Sequence, residues 1–134
     1  MTPTDSAVAA ASIVAVVLLG IVTLFQLALA LGAPWGQAAW GGGHRGVLPA
    51  GFRVASGVAA VVIYPLIAMV ILVTAGTVRF AGLPPAGGAA MWVLTGFFAL
   101  GAMANLVSRS KVERIWSPAS AGVAVCCGIV ASGI

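Results

Sequence analysis

Four long apolar runs, separated by shorter stretches that hold the charged side chains, decide what this chain can fold into. Each run approaches the roughly 20 residues that cross about 30 Å of hydrocarbon, and the eight charged residues fall at or beyond the run ends. A soluble domain of 134 residues would need charge over most of its exterior, whereas 62% of this chain is hydrophobic and 6% charged. The exterior therefore faces lipid, where only structures that satisfy their backbone polar groups internally survive. The predicted fold class is all-α, a four-transmembrane-helix bundle in one integral membrane domain. Its spans are expected at about 7–31, 52–76, 89–107 and 118–134, with a long Gly/Trp-rich first connection.

Local signals set the boundaries. Thr4, Asp5 and Ser6 are N-cap candidates for the first helix, and Gly32-Ala33-Pro34 stops it. The first run is too long for the core of a cleavable leader and lacks a basic segment before it, so it is read as a retained span. Tyr64-Pro65 interrupts the second run, where proline removes a backbone donor and predicts a kink. Gly96, Gly101, Ala102 and Ala104 give the third run small residues for close helix contact. Ser117-Pro118 reads as an N-cap followed by the first helical residue of the fourth span. Within that span Ala124, Gly128 and Ala131 or Ser132 recur at helical spacing, a seam for packing inside the bundle or between two copies. The adjacent Cys126 and Cys127 have neither disulfide nor zinc-site spacing and read as small packing residues.

Charge predicts orientation. Arg45, Arg53, Arg109, Lys111 and Arg114 belong to the side of the first and third connections, against Arg79 alone on the other side. The positive-inside rule then puts those connections in the cytoplasm and both termini outside. The tryptophans Trp35, Trp40, Trp92 and Trp116 fall at or beyond span ends, where an interfacial aromatic belt would hold them. Residues distant in sequence thereby converge near one membrane face. The ligand-binding candidates are Trp35, Trp40, His44, Arg45, Arg53, Asn105, Arg109, Lys111 and Arg114, with Gln26 and Tyr64 expected to line a cavity. Arginine forks and the backbone amides of Gly41-Gly42-Gly43 suit a phosphate or carboxylate.

Other chemistries are thinly represented. His44 is the only histidine, and too few further ligands stand near it for a zinc site, so no metal or cofactor is expected. Glu113 is the only acid on the basic side; an ion pair with Arg109 or Arg114 is its default role. No ionisable residue of the proton-carrying kind lies inside a predicted span, which argues against a membrane-embedded proton relay. There is no basic helix or stripe to hold nucleic acid.

Pro34-Trp35-Gly36, Ala39-Trp40-Gly41-Gly42, His44, Leu48-Pro49 and Arg53 form one half of a pattern. Asn105 with Ser108-Arg109-Ser110-Lys111 and Glu113-Arg114 forms the other. Together they resemble a group of short four-span integral membrane proteins of bacteria that has no assigned activity. The resemblance extends from the first helix onward and implies a bacterial cytoplasmic membrane, with no particular substrate. It also shows a departure, since an acidic residue is more usual in that group where Arg45 stands here. The leading functional expectation is a non-catalytic accessory or binding component that holds an anionic or amphiphilic partner, a lipid, metabolite or membrane protein, at its cytoplasmic face. Two alternatives stay open: a small homodimeric transporter or channel, and a membrane enzyme using His44 and Glu113 as an acid-base pair.

Overall fold

The structure, a computed structural model, describes residues 2–133. Ile134, the last residue of the predicted fourth span, lies outside the described residues. It is an all-helical four-helix bundle. Helix α1 covers Pro3–Ala30, α2 Ala50–Thr74, α3 Gly88–Leu106 and α4 Trp116–Gly133. All four are long and apolar enough to cross a membrane, α4 together with the turn that leads into it. The 28 residues of α1 make a rod of about 42 Å, longer than the hydrocarbon layer.

Two helix starts differ from expectation. The α1 cap is Thr2, earlier than Thr4, Asp5 or Ser6. Its hydroxyl accepts from the Asp5 N–H at 3.2 Å, while the Asp5 carboxylate accepts from the Thr2 N–H at 2.7 Å. This reciprocal box satisfies two otherwise orphaned donors, and Pro3 fits the first helical position because its missing N–H has no partner to lose there. Ser117 is not the cap of α4, which is entered through a 3₁₀ turn at Glu113–Ile115. The Ser117 hydroxyl instead donates to the Ala102 carbonyl of α3 at 2.9 Å, tying two helices together.

Pro65 is absorbed without ending α2. The preceding turn, Ala59–Ile63, widens into π-helix, and the Tyr64 N–H bonds back to the Ala59 carbonyl. One extra residue in the turn accommodates a proline that cannot donate to the regular ladder.

Packing places the helices in the spatial order α2, α1, α4, α3. Sequence neighbours α2 and α3 therefore form the two outer members. The core joins Ala11, Ala15 and Leu19 of α1 to Ile71 of α2, Met91 and Phe98 of α3, and Val123, Cys127 and Val130 of α4. Ala124 and Ala131 are buried in it, so the small-residue seam works inside the bundle. A Cβ on Gly122 would stand 2.7 Å from Leu18 Cδ1 of α1, and one on Gly128 would touch Thr95 of α3. Without a hydrophobic drive between helices in lipid, such close approach supplies the dispersion contact that holds them. The bulky side chains Ile13, Val14, Val17, Ile21 and Leu24 of α1 point outward.

At the end away from the basic connections, Ser12 and Thr77 hydroxyls hydrogen-bond at 2.8 Å, and the Ala86 N–H donates to Thr74 Oγ1 at 2.9 Å. At the basic end, the first connection folds onto α1 through Leu29, Ala39 and Leu48, with Phe25 and Phe52 against them.

Candidate functional site

The first connection is a compact loop closed on itself. The Gly36 N–H donates to the Gly46 carbonyl at 2.9 Å. A Cβ at Gly36 would fall 2.8 Å from both the Gly46 and the His44 carbonyl oxygens, so only glycine allows this approach. The chain then turns sharply at Trp40, which is held at φ +53. A tryptophan in the left-handed region is uncommon and has to be held there by its surroundings. Here the indole N–H donates to Ser56 Oγ at 3.0 Å and the ring packs on Phe52 at 5.6 Å.

This turn aims the Gly41 N–H at Glu113, whose Oε1 accepts it at 2.8 Å. Glu113 Oε2 accepts from the Ser108 hydroxyl. Ser110 completes the clasp by donating its hydroxyl to the Gln37 carbonyl at 2.6 Å. The ion pair expected for Glu113 is thus replaced by two neutral donors, and Arg114 donates its Nε to the Ser108 carbonyl at 2.9 Å instead. A buried carboxylate needs donors at both oxygens, and the Gly41 amide, expected to suit an external anion, is used on an internal one.

Below the clasp lies a cavity of about 210 Å³. Its wall draws on every helix: Val22, Phe25 and Gln26 from α1, Tyr64 from α2, Asn105 from α3, Trp116 and Ser120 from α4, with Trp40 and Glu113 from the connections. Trp116 and Ser120 share a face because they are one turn apart. Gln26 Oε1 and Trp116 Nε1, atoms of two lining residues, are fully buried and have no hydrogen-bond partner among the described residues. One is an acceptor and the other a donor. Leaving each unpaired costs about 1–3 kcal/mol. With about 30 Å³ per water in the liquid, the space corresponds to roughly seven waters or a polar group of that size.

An apolar groove adjoins it, lined by Pro34, Trp35, Val112 and Ile115 and sharing Phe25, Ala38 and Trp116 with the cavity wall. Phe25 stacks parallel to Trp35 at 6.3 Å and tilts against Trp116 at 4.4 Å.

Gln26, Trp40, Tyr64 and Asn105 therefore meet at one cavity, while Trp35 lies on the outer groove. The basic side chains do not enter it. Arg45, Arg109, Lys111 and Arg114 are exposed, and Arg53 donates its Nε to the Ala30 carbonyl at 3.1 Å, facing the negative end of the α1 dipole. His44 packs on Phe52 at 4.7 Å, its Nδ1 buried without a partner among the described residues, and it does not line the cavity. Among the described residues no three His, Cys, Asp or Glu side chains gather as metal ligands would. Outside the expected site residues stand Trp116 and Ser120 on the wall and Ser108 and Ser110 in the clasp, although the sequence pattern already contains the two clasp serines. Trp116 reads as one more belt tryptophan; the i,i+4 spacing to Ser120, on the side of Asn105 and Gln26, is the signal that sets it apart.

Among known proteins, no family model, no curated sequence and no solved structure matches this chain.

Proposed function

We propose that this protein is a non-catalytic, multi-pass binding protein of a bacterial cytoplasmic membrane that takes the polar group of an amphiphile into the cavity beneath its two basic connections. The observation that carries the reading is the cavity itself, to which all four helices bring polar side chains: Gln26, Tyr64, Asn105, Trp116 and Ser120, with Glu113 beside them. Side chains of these types offer both donors and acceptors to a small polar group. The five-to-one bias of basic residues supports a cytoplasmic location for this end and external termini. Arg45, Arg109, Lys111 and Arg114, exposed around the clasp, are suited to lipid phosphates at that surface.

Native mass spectrometry of protein extracted in mild detergent tests the reading. Wild type is expected to carry a retained small molecule, and the double variant Gln26→Leu/Trp116→Phe to lose it, while Arg109→Ala keeps it. A wild type that flies without any adduct, or a double variant that keeps the same one, would overturn it.

A further inference from the structure

Glu113 is buried and lines the cavity. Both of its oxygens accept hydrogen bonds, from the Gly41 N–H at 2.8 Å and from the Ser108 hydroxyl, as an ionised carboxylate does. Because the two donors are neutral, they satisfy its lone pairs and leave its negative charge in place. Among the described residues, no Lys, Arg or His lines the cavity. Arg45, Arg109, Lys111 and Arg114 are exposed, where water and salt screen their charge. Arg114 directs its Nε to the Ser108 carbonyl at 2.9 Å, and Arg53 directs its own to the Ala30 carbonyl. The buried charge therefore lacks a buried counter-charge, and the space beside it favours a cation over a neutral or anionic group of the same shape.

The wall decides between a metal ion and an organic cation. A metal would need several oxygen or nitrogen ligands, and no three His, Cys, Asp or Glu side chains gather among the described residues. Four lining residues are instead aromatic: Phe25, Trp40, Tyr64 and Trp116. Rings of these types attract cations over their faces, most strongly where water is excluded. Half-buried Tyr64, Asn105 and Ser120 add hydroxyl and amide oxygens that can accept from an N–H. An ammonium group with a few methyl or methylene substituents is within the volume of roughly seven waters that the cavity offers.

We infer that the cavity is a site for an organic ammonium ion, held by the uncompensated charge of Glu113 and the aromatic wall. This rests on the binding reading above and names the ligand class for the same site. Two sources carry that chemistry: the headgroup of a zwitterionic lipid, whose phosphate the exposed basic residues of the same end suit, and a free amine or quaternary ammonium.

Isothermal titration calorimetry of full-length protein in a mild non-ionic detergent tests the charge with three compact probes: tetramethylammonium, neutral tert-butanol and anionic pivalate. Wild type is expected to bind tetramethylammonium at least about tenfold more tightly than tert-butanol, and pivalate most weakly. Glu113→Gln keeps the bulk of the side chain and removes its charge, and is expected to bring tetramethylammonium and tert-butanol within about threefold of each other. Should this variant lose the wild-type helical circular dichroism, the wild-type series alone decides. Equal binding of the three probes, tightest binding of pivalate, or an undiminished preference for the cation in folded Glu113→Gln would each overturn the inference. Native mass spectrometry with phosphatidylethanolamine and phosphatidylglycerol separates the sources. Retention of phosphatidylethanolamine that tetramethylammonium displaces assigns the headgroup, whereas tetramethylammonium binding with no lipid retained assigns a free cation and removes the amphiphile from the reading above. If tetramethylammonium does not bind but wild type still carries a molecule that Gln26→Leu/Trp116→Phe loses, the ligand class falls and the binding site stands. If nothing is bound or retained, both fall.

Discussion

Glu113→Gln is the substitution that most sharply tests the clasp. The wild-type carboxylate is buried and accepts from the Gly41 N–H at 2.8 Å and from the Ser108 hydroxyl. Hydrogen bonds to a charged acceptor contribute about 1.5–3 kcal/mol and neutral ones about 0.5–1.5 kcal/mol, so the amide swap weakens the Gly41 bond by about 1–1.5 kcal/mol. If the first connection opens locally, that difference appears directly in its opening equilibrium. Hydrogen–deuterium exchange at the Gly41 amide is therefore expected to run about five- to tenfold faster in Glu113→Gln. Glu113→Leu removes the bond altogether, about 2 kcal/mol, and is expected to accelerate exchange roughly thirtyfold. Arg109→Ala and Arg114→Ala leave both carboxylate contacts in place and are expected to keep the wild-type rate. Wild-type exchange at Gly41 in both Glu113 variants would refute the clasp, and acceleration by either arginine variant as large as that by Glu113→Gln would restore the ion pair in its place.

Trp40→Phe and Ser56→Ala each remove one side of the 3.0 Å indole–hydroxyl bond that steadies the strained Trp40 turn. A double-mutant cycle in a denaturing-detergent titration is expected to return a coupling of about 0.5–1.5 kcal/mol, and additive effects would deny the bond an energetic role. Gly122→Leu drives a side chain into Leu18 across the α1–α4 contact, an overpacking expected to cost about 1–3 kcal/mol in the same titration. Wild-type stability there would show that α1 and α4 are not so closely packed. For orientation, Arg45→Cys and Arg79→Cys are compared in intact cells with a membrane-impermeant maleimide. Native Cys126 and Cys127 are buried and are expected to give no background. Labelling of Arg79→Cys with protection of Arg45→Cys is the expected result, and the reverse pattern would invert the topology.

Several features of the bundle are legible without coordinates. Apolar run length sets the four helices, because lipid leaves the backbone no other way to satisfy its polar groups. Depth is legible too: Gln26 near the end of the first run and Asn105 near the end of the third are placed toward one membrane face by a rise of about 1.5 Å per residue. The details decided by a single hydrogen bond are less so. Ser117 has the look of a cap, yet an unbroken turn from Glu113 frees its hydroxyl for Ala102. Glu113 has arginines beside it in sequence, yet a glycine amide far away in the chain reaches it first.

What the amino-acid sequence determines by itself is therefore the number of spans, their approximate ends and the depth of each polar side chain. Only the tertiary structure decides azimuth, the direction in which each residue faces around its helix. In water an amphipathic pattern would reveal it, but in lipid both faces are apolar: Ala11, Ala15 and Leu19 turn inward while Ile13, Val17 and Ile21 turn outward on the same helix. Close packing chooses between them by size, and that choice sets the order α2, α1, α4, α3. From that order follow the meeting of Gln26 with Trp116 at one cavity and the cleft left between α2 and α3.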